Sequence, residues 1–191
     1  DPEDMKIVLE RICLRAGVEI QYHTRVCAAM VEGGRLTTVI TESKSGRQAW
    51  PAGAFVDATG DGDLAARAGC TFEYGRGADG QAQPLSMIAM VAGLDPDEVA
   101  PFTNGHPGYT DMQTKQGLAA EIRRAGVEPS YALPVLIQVR GQLFSLAANH
   151  QYGVSGLDAA QVTRATLEAR EEIHRVTRAL RGLGGPWRNL A

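Results

Sequence analysis

The segment spanning residues 55–69 constrains the fold of this chain more than any other stretch. It opens with the short apolar pair Phe55-Val56 and ends in a run of good helix formers, residues 64–68, closed by Gly69. Between them lies a turn, residues 59–63, in which glycines alternate with carboxylates. An apolar run this short is typical of a buried parallel strand. We therefore predict a strand, a tight glycine turn and a helix in direct succession.

The turn is the candidate ligand site of the chain. In open α/β sheets, ligands bind beyond the carboxyl ends of the strands, where a glycine turn lets the backbone approach a phosphate or a ribose. Asp61 and Asp63 either accept hydrogen bonds from hydroxyl groups of a ligand or cap the helix that follows, and the two roles are compatible. A metal-binding loop is disfavoured because further oxygen ligands at the required spacing are missing.

The turn also belongs to a longer pattern. Residues 57–65 read Asp-Ala-Thr-Gly-Asp-Gly-Asp-Leu-Ala, and related pieces follow at residues 68–70, 75–76, 83–84, 149–153, 163–165 and 168–170. This pattern resembles the FAD-dependent oxidoreductase family, in particular flavin subunits of the heterodisulfide reductase A type. In that family the Ala-Thr-Gly turn closes the last strand of the FAD-binding sheet and lies against the dinucleotide. The resemblance therefore implies FAD as the cofactor.

The resemblance also implies a fold and a set of cofactor contacts. The fold class is α/β, with part of a FAD/NAD(P)-binding Rossmann-type (ββα sandwich) domain that carries a β-meander, followed by part of a mixed α+β substrate-side domain. The implied cofactor-binding residues are Val26, Ala58, Thr59, Gly60, Asp61, Gly62 and Asp63. Val26 presents its backbone to the adenine in this scheme, while its side chain is also interpreted as an ordinary core residue of a strand.

The same resemblance implies three domains. Residues 1–70 are expected to form the C-terminal portion of the FAD-binding domain, residues 71–157 a β-rich substrate-side portion, and residues 158–191 an amphipathic helix and tail. No G-x-G-x-x-G turn opens a first βαβ unit, and residue 1 is not methionine, so we expect an internal fragment of a longer flavoprotein.

The implied function is hydride or electron transfer through the flavin on an unidentified substrate, with a small molecule or an electron-transfer protein as the partner. The sequence does not identify the catalytic residues. The alternative is a structural or interaction module that has no activity as an isolated fragment. The two hypotheses differ in whether the full polypeptide binds flavin.

Composition excludes several other classes. A net charge of −3 without a basic stripe argues against nucleic acid as a partner, and no apolar run approaches the roughly 18 residues that span a bilayer. Cys13, Cys27 and Cys70 have no C-x-x-C spacing, which predicts free, mostly buried thiols in a reducing cytoplasm. The wider family is associated with iron-sulfur clusters, but these cysteines do not supply the four thiolates that a cluster needs.

The elements of the first 50 residues are predicted from periodicity. A helix capped by Asp1 is expected over residues 2–16, with one buried apolar stripe made of Met5, Val8, Leu9, Ile12, Cys13 and Ala16. A strand is expected over residues 18–22. An antiparallel meander is expected over residues 26–31, 36–41 and 48–50, because Gly-Gly and Ser-Gly turns between β-branched runs are hairpin signals.

The second half of the chain is predicted in the same way. We expect a strand within residues 85–93, a loop over 95–116, a short helix over 118–125, and a hairpin of residues 133–139 and 142–148. The longest helix is expected to start after the cap Asp158 and to pack in a domain core rather than in a coiled coil. Its apolar stripe contains Val162, Thr166, Ala169, Ile173, Val176, Leu180 and Leu183.

Four histidines and one arginine are the remaining candidates for chemistry. His106 and His150 lie in glycine-rich loops where an imidazole can donate a proton to a substrate, whereas His23 and His174 are interpreted as structural. Arg76 either neutralises a reduced flavin or a carboxylate substrate, or it is simply exposed to solvent.

Overall fold

The computed structural model describes residues 2–191, so the predicted helix cap Asp1 lies outside the described residues. The chain divides into two compact units, Pro2–Glu73 and Tyr74–Ala191, which we call the N-terminal unit and the C-terminal unit. Within residues 2–191, no helix has both the length and the apolar character needed to cross a membrane.

The N-terminal unit is built on an antiparallel meander. Strands β1 (Arg25–Glu32), β2 (Arg35–Ser43) and β3 (Gly46–Pro51) pair in the order β1-β2-β3, which confirms the predicted hairpins. Gly33, Gly34 and Gly46 form the two turns with φ values of 56°, 78° and 91°. Glycine adopts these angles without the steric cost that another residue incurs.

Two predicted strands are absent from the N-terminal unit. Residues 18–22 and 55–57 are assigned no strand, and Val56 is 90% exposed rather than buried. A parallel strand is stable only when hydrogen-bonded neighbours and covering helices bury it, and both sheets of residues 2–191 are antiparallel. The predicted parallel sheet is therefore not present in the described part of the chain.

The predicted burial of the first helix is also wrong. The N-terminal unit has two helices, α1 (Pro2–Arg15) and the short α2 (Asp63–Arg67). Helix α1 forms as expected, but none of its residues is buried. Met5, Leu9 and Ile12 of the predicted stripe are 56%, 55% and 58% exposed. The 3.6-residue period correctly places these side chains on one face, but a period does not supply an element that covers the face.

The C-terminal unit combines a second antiparallel sheet with two long helices. Strands β4 (Ile88–Val91), β5 (Val135–Arg140) and β6 (Leu143–Ala147) pair in the order β4-β6-β5. The predicted hairpin of β5 and β6 is confirmed, and β5 is an edge strand, as the preceding Pro134 indicates. The unit also contains single turns of 3-10 helix at Ala100–Phe102 and Gly185–Trp187.

Helix α3 (Asp111–Arg124) is longer than predicted, because its first turn falls in the segment expected to be a loop. Thr110 is the N-cap of a capping box: its hydroxyl accepts the Gln113 N–H at 3.3 Å, and the Gln113 side chain accepts the Thr110 N–H at 2.9 Å. These two bonds satisfy backbone donors that a helix start leaves unpaired. The Thr-x-x-Gln spacing is visible in the sequence and is the signal that places the start correctly.

Helix α4 (Ala159–Gly182) confirms the prediction for the longest helix. The Asp158 carboxylate accepts the N–H groups of Ala160 and Gln161, at 2.9 Å and 3.2 Å. The buried side of α4 faces the core of the unit, which also contains Phe144, Leu118 and Trp187. The helix therefore packs within a domain, as expected, and its apolar stripe is covered where that of α1 is not.

Candidate functional site

The predicted site turn is held together by the carboxylate of Asp57. Its Oδ1 atom accepts the Thr59 N–H at 3.0 Å and the Thr59 hydroxyl at 2.7 Å, and its Oδ2 atom accepts the Ala65 N–H at 2.9 Å. The Thr59 hydroxyl oxygen accepts the Asp63 N–H at 2.9 Å. These four bonds tie both ends of the turn to the first residues of helix α2 (Asp63–Arg67).

This network corrects the predicted cap of α2. The N-cap position is Gly62, which has no side chain to cap with, and neither Asp61 nor Asp63 accepts a backbone N–H within the described residues. Asp57 and Thr59 satisfy the first N–H groups of α2 instead. The Asp-x-Thr pair is visible in the sequence, and side chains of these types commonly form hydrogen bonds with the backbone two residues later. The bond from the Ala65 N–H to Asp57 is not visible in the sequence.

Hydrogen bonding determines the charge state of Asp57. The pKa of the Asp57 carboxyl lies below its ordinary value because the carboxylate accepts hydrogen bonds. The bond from the Ala65 N–H lowers the pKa most, followed by that from the Thr59 hydroxyl. Asp57 is therefore ionised at neutral pH, and its carboxylate accepts all three donors.

We expect Asp57→Asn to loosen the turn, because an amide replaces one of the two acceptor oxygens with a donor. Since the folded-state pKa of Asp57 is lowered, its contribution to stability is present above the unfolded pKa of about 3.9 and is lost as the pH falls through the folded value. Urea unfolding should show wild type more stable than the variant at pH 7, with the difference shrinking as the pH falls through the folded-state pKa of Asp57. A stability difference that is independent of pH would contradict this role of the carboxylate.

The two glycines of the turn are required by backbone geometry. Gly60 has a φ of 88° and Gly62 a φ of 73°, in the left-handed region that side chains other than glycine occupy at a cost. A Cβ atom at either glycine would meet no atom of the chain within 4 Å. The space around both positions is therefore open, and only the backbone conformation restricts them.

The implied contact residues fall into two groups. Ala58, Asp61 and Asp63 are exposed, and the carboxylates of Asp61 and Asp63 form no hydrogen bond or ion pair with any residue of the range 2–191. Thr59, in contrast, uses its hydroxyl both to donate to Asp57 and to accept from Asp63. Its side chain therefore shapes the turn, and the free acceptors belong to Asp61 and Asp63.

Val26 lies on an element that packs against the turn helix. It is the second residue of β1, it is half-buried and it pairs with Thr41, and α2 packs against β1. The register of β1 shifts directly after Val26, which marks a β-bulge at Cys27. Bulges of this kind redirect the backbone and are frequent beside functional sites.

A polar cluster in the C-terminal unit brings together residues from three separate stretches of the chain, 130–131, 150–152 and 172. The His150 ring stacks on Tyr131 at 3.9 Å between centroids, and its Nδ1 atom lies 3.2 Å from the Tyr152 hydroxyl. The Ser130 hydroxyl accepts the backbone N–H of His150 at 2.9 Å and donates to the buried carboxylate of Glu172 at 2.7 Å. Burial lowers the pKa of the His150 imidazole, which is therefore neutral at pH 7.

The other candidates for chemistry are less well placed. His23 is exposed with a φ of 54°, and His174 is exposed on α4. The Nδ1 atom of His106 accepts the Gly108 N–H at 3.2 Å, which occupies it within its own turn. None of these three imidazoles lies within hydrogen-bond distance of a tyrosine hydroxyl among the described residues, whereas that of His150 does, so His150 is the best-placed acid/base candidate.

Arg76 lies in a loop, residues 75–80, that reads Gly-x-Gly-x-x-Gly. The loop is not a dinucleotide fingerprint, because neither a strand before it nor a helix after it is present. The guanidinium of Arg76 binds Asp79 in a bidentate pair, with Nε to Oδ1 at 3.2 Å and Nη2 to Oδ2 at 2.5 Å. Its charge is thus compensated locally, and its side chain is 69% exposed, in agreement with the solvent-exposed interpretation.

The three cysteines are free, as predicted, but the expectation that they are buried is wrong. Cys13 and Cys27 are half-buried and Cys70 is exposed. Among residues 2–191, no group of histidine, cysteine and acidic residues is arranged to hold a metal ion. The thiols of the described chain accordingly form no cluster site.

Comparison with known proteins adds one match. The family model described as FAD dependent oxidoreductase covers residues 1–189. No curated protein and no solved structure gives a significant match.

Proposed function

We propose a flavin-binding role for the turn of residues 57–63 from one premise: the chain belongs to the FAD dependent oxidoreductase family, whose model covers residues 1–189. The proposal is that this turn lies against FAD and that β1 contributes the backbone of Val26 to the adenine. Bound flavin supplies hydride or electron transfer, and the chain supplies binding and orientation.

One observation carries the proposal. Gly60 and Gly62 have positive φ values, a Cβ atom on either would meet no atom of the chain within 4 Å, and the carboxylates of Asp61 and Asp63 have no partner among residues 2–191. Hydroxyl groups of a ribityl chain or a ribose donate hydrogen bonds to carboxylates, and phosphate oxygens accept from backbone N–H groups. The donor and acceptor set of the turn therefore fits a dinucleotide.

The roles of the individual residues follow from the network. Asp57 and Thr59 are positioning residues, since their polar atoms bond to the chain itself. Asp61 and Asp63 are the proposed ligands for hydroxyl groups, and Gly60 and Gly62, with Ala58, bring the backbone close to the cofactor. His150, held neutral beside Tyr152, is the proposed residue for proton transfer to a substrate.

We further propose that the chain supplies only part of the cofactor site and resembles flavin subunits of the heterodisulfide reductase A type. The family implies a Rossmann-type domain, whereas both sheets of the described residues are antiparallel. The uncovered apolar faces of α1 and of Val56 support a missing parallel sheet, because such a sheet would bury them. The proposed partner is a small-molecule substrate or an electron-transfer protein in the cytoplasm, with no nucleic acid or membrane involved.

The test is a titration of FAD into the full-length gene product that contains this chain. Asp61→Asn and Asp63→Asn should each weaken FAD binding about tenfold if that carboxylate accepts a hydroxyl group, the effect of one lost hydrogen bond to a charged acceptor. Asp79→Asn is the control, because Asp79 is engaged with Arg76 outside the turn.

The outcome separates the proposal from its alternative. Wild-type affinity in both Asp61 and Asp63 variants would remove the carboxylates as ligands and leave only the backbone of the turn. A full-length product that binds no flavin would favour the structural or interaction module. Tight, stoichiometric FAD binding by residues 1–191 alone would contradict the proposal that the site is incomplete.

A further inference from the structure

The buried carboxylate of Glu172 in the C-terminal unit is held by neutral donors. Its Oε1 atom accepts the Ser130 N–H at 2.7 Å, and its Oε2 atom accepts the Ser130 hydroxyl at 2.7 Å and the side-chain amide of Gln151 at 3.4 Å. Glu172 is 6% exposed and forms no ion pair with any residue of the range 2–191. Glutamate is almost never this buried unless it is paired with a cation, so the position needs a reason beyond packing.

Glu172 joins the two stretches of chain that position the His150 ring. One stretch carries Ser130 and Tyr131, and the other carries His150 and Gln151. The Ser130 hydroxyl that donates to Glu172 also accepts the backbone N–H of His150 at 2.9 Å. The Tyr131 ring, next to Ser130 in the chain, stacks on the His150 ring with an angle of 18° between the planes. The placement of both rings therefore depends on the Glu172 carboxylate.

The backbone on both sides of His150 is fixed as well. Asn149 is fully buried, and its side chain bonds to the N–H and the C=O of Met87 at 3.1 Å and 2.8 Å. Gln151 exchanges both backbone bonds with Leu85, at 3.0 Å and 2.7 Å. The Nδ1 atom of the His150 ring faces a tyrosine hydroxyl, whereas Nε2 has no partner among residues 2–191. Nε2 is therefore the nitrogen available to a substrate.

The charge of Glu172 acts on this ring. An imidazole must be protonated before it can give a proton to a substrate, and burial opposes that charged form by lowering the pKa of His150. The negative charge of Glu172 acts in the opposite direction and raises it. The other titratable side chains in contact with the ring are Tyr131 and Tyr152, and tyrosine hydroxyls carry no charge at neutral pH. Among the described residues, Glu172 is therefore the charge that favours the imidazolium.

We propose that Glu172 is a positioning residue for His150: its buried carboxylate holds the ring against Tyr131 and stabilises the imidazolium that donates a proton from Nε2. In that step the Nε2–H bond breaks, its electron pair stays on the nitrogen, and the proton passes to a lone pair of the substrate. The inference rests on the proposed function, in which His150 transfers a proton. Its test uses only residues of the C-terminal unit and does not depend on bound flavin.

The test measures the pKa of His150 in the full-length gene product by NMR, with ¹³C at Cε1 of the histidine rings. The signal is assigned by its absence in His150→Gln. Glu172→Gln keeps the size of the side chain and removes its charge, so the pKa of His150 should fall, and the ratio of imidazolium to neutral imidazole at a given pH should drop about threefold or more. Glu171→Gln is the matched control, because it removes the same charge from an exposed neighbouring position on α4, where Glu171 pairs with Arg178 at 3.7 Å. It should leave the pKa of His150 unchanged.

The direction of the change separates this role from a merely structural one. If Glu172 only tied the two stretches together, its replacement would expose the His150 ring to water and raise its pKa toward the ordinary value. Ser130→Ala provides that comparison, since it removes the hydroxyl between Glu172 and His150 and keeps the charge. In this variant the pKa of His150 should rise, and the nuclear Overhauser effects between the rings of Tyr131 and His150 should weaken.

The proposal is overturned if Glu172→Gln raises the pKa of His150 or leaves it unchanged. It is equally overturned if Glu172→Gln does not fold, since the carboxylate would then be a stability residue, or if Ser130→Ala leaves both the pKa and the ring contact as in wild type. A gene product that shows the expected changes but binds no flavin would contradict the proposed function and leave the action of Glu172 on His150 supported.

Discussion

Replacing Gly60 by valine is expected to abolish FAD binding by the full-length gene product. Gly60 has a φ of 88°, and a β-branched residue in this region carries strain of about 1–3 kcal/mol. The turn would relax toward negative φ, which pulls Thr59 away from Asp57 and from the Asp63 N–H. At about 1.4 kcal/mol per tenfold, the strain alone weakens binding up to roughly a hundredfold, and the lost turn geometry adds to it.

Gly46→Val is the matched control. Gly46 has a φ of 91°, and a Cβ atom there would meet no atom within 4 Å, so the strain is the same, but the residue lies in the hairpin between β2 and β3. We expect a similar loss of stability with FAD affinity retained. If Gly46→Val lowers FAD affinity as much as Gly60→Val, general destabilisation explains the effect and the turn is not a contact.

Gly60→Asn distinguishes strain from collision. Asparagine tolerates positive φ better than most other side chains, so the turn should keep its shape. Its side chain would project into the open side of the turn. If the variant folds normally but no longer binds FAD, the cofactor lies on that side of the turn. If it still binds FAD, the backbone conformation at residue 60 is the only property of Gly60 that FAD binding requires.

Truncation of Trp187 to alanine should be the most destabilising single change in the C-terminal unit. The side chain is 1% exposed, its ring lies 5.1 Å from that of Phe102 between centroids, and its Nε1–H donates to Glu121 at 2.9 Å. Emptying such a site costs about 3–5 kcal/mol, which is roughly a fifth or more of the stability of a typical domain. Urea unfolding followed by far-ultraviolet circular dichroism measures the loss.

Two further variants make this result specific. Trp187→Phe keeps most of the apolar volume and loses the bond to Glu121, so it should cost about 1–3 kcal/mol. Trp50→Phe removes the only other tryptophan, which is half-buried in the N-terminal unit and bonds to Thr41. A loss below about 1 kcal/mol in Trp187→Ala would show that the core around this ring collapses to fill the space.

Local patterns predict the elements whose stability is local or whose partner is next in sequence. The meander β1-β2-β3 and the hairpin of β5 and β6 are predictable because glycine turns and alternation are encoded within about 10 residues. Helix α4 is predictable from its cap Asp158 and a sustained apolar period. The start of α3 at Thr110 is equally local, and its capping box is a better signal than the proline and glycine residues that favour a loop before it.

Predictions that need a distant partner fail. The apolar face of α1 and the run at Val56 have a sequence typical of buried elements, but burial depends on what packs against them, and nothing in the described chain does. The capping of α2 by Asp57, eight residues before Ala65, depends on how the turn folds back. The stack of His150 on Tyr131, and its link through Ser130 to Glu172, joins residues up to 42 positions apart.

The sequence by itself determined the family, the position of the glycine turn and the types of residue in it. These could be predicted because the glycines and carboxylates of the turn are consecutive in the sequence. Only the tertiary structure decided which of those carboxylates is free. The Asp57 carboxylate accepts hydrogen bonds from three donors of its own chain, whereas the carboxylates of Asp61 and Asp63 accept none from residues 2–191. The difference arises because the chain turns at Gly60 and Gly62, which directs the backbone N–H groups of the turn toward Asp57.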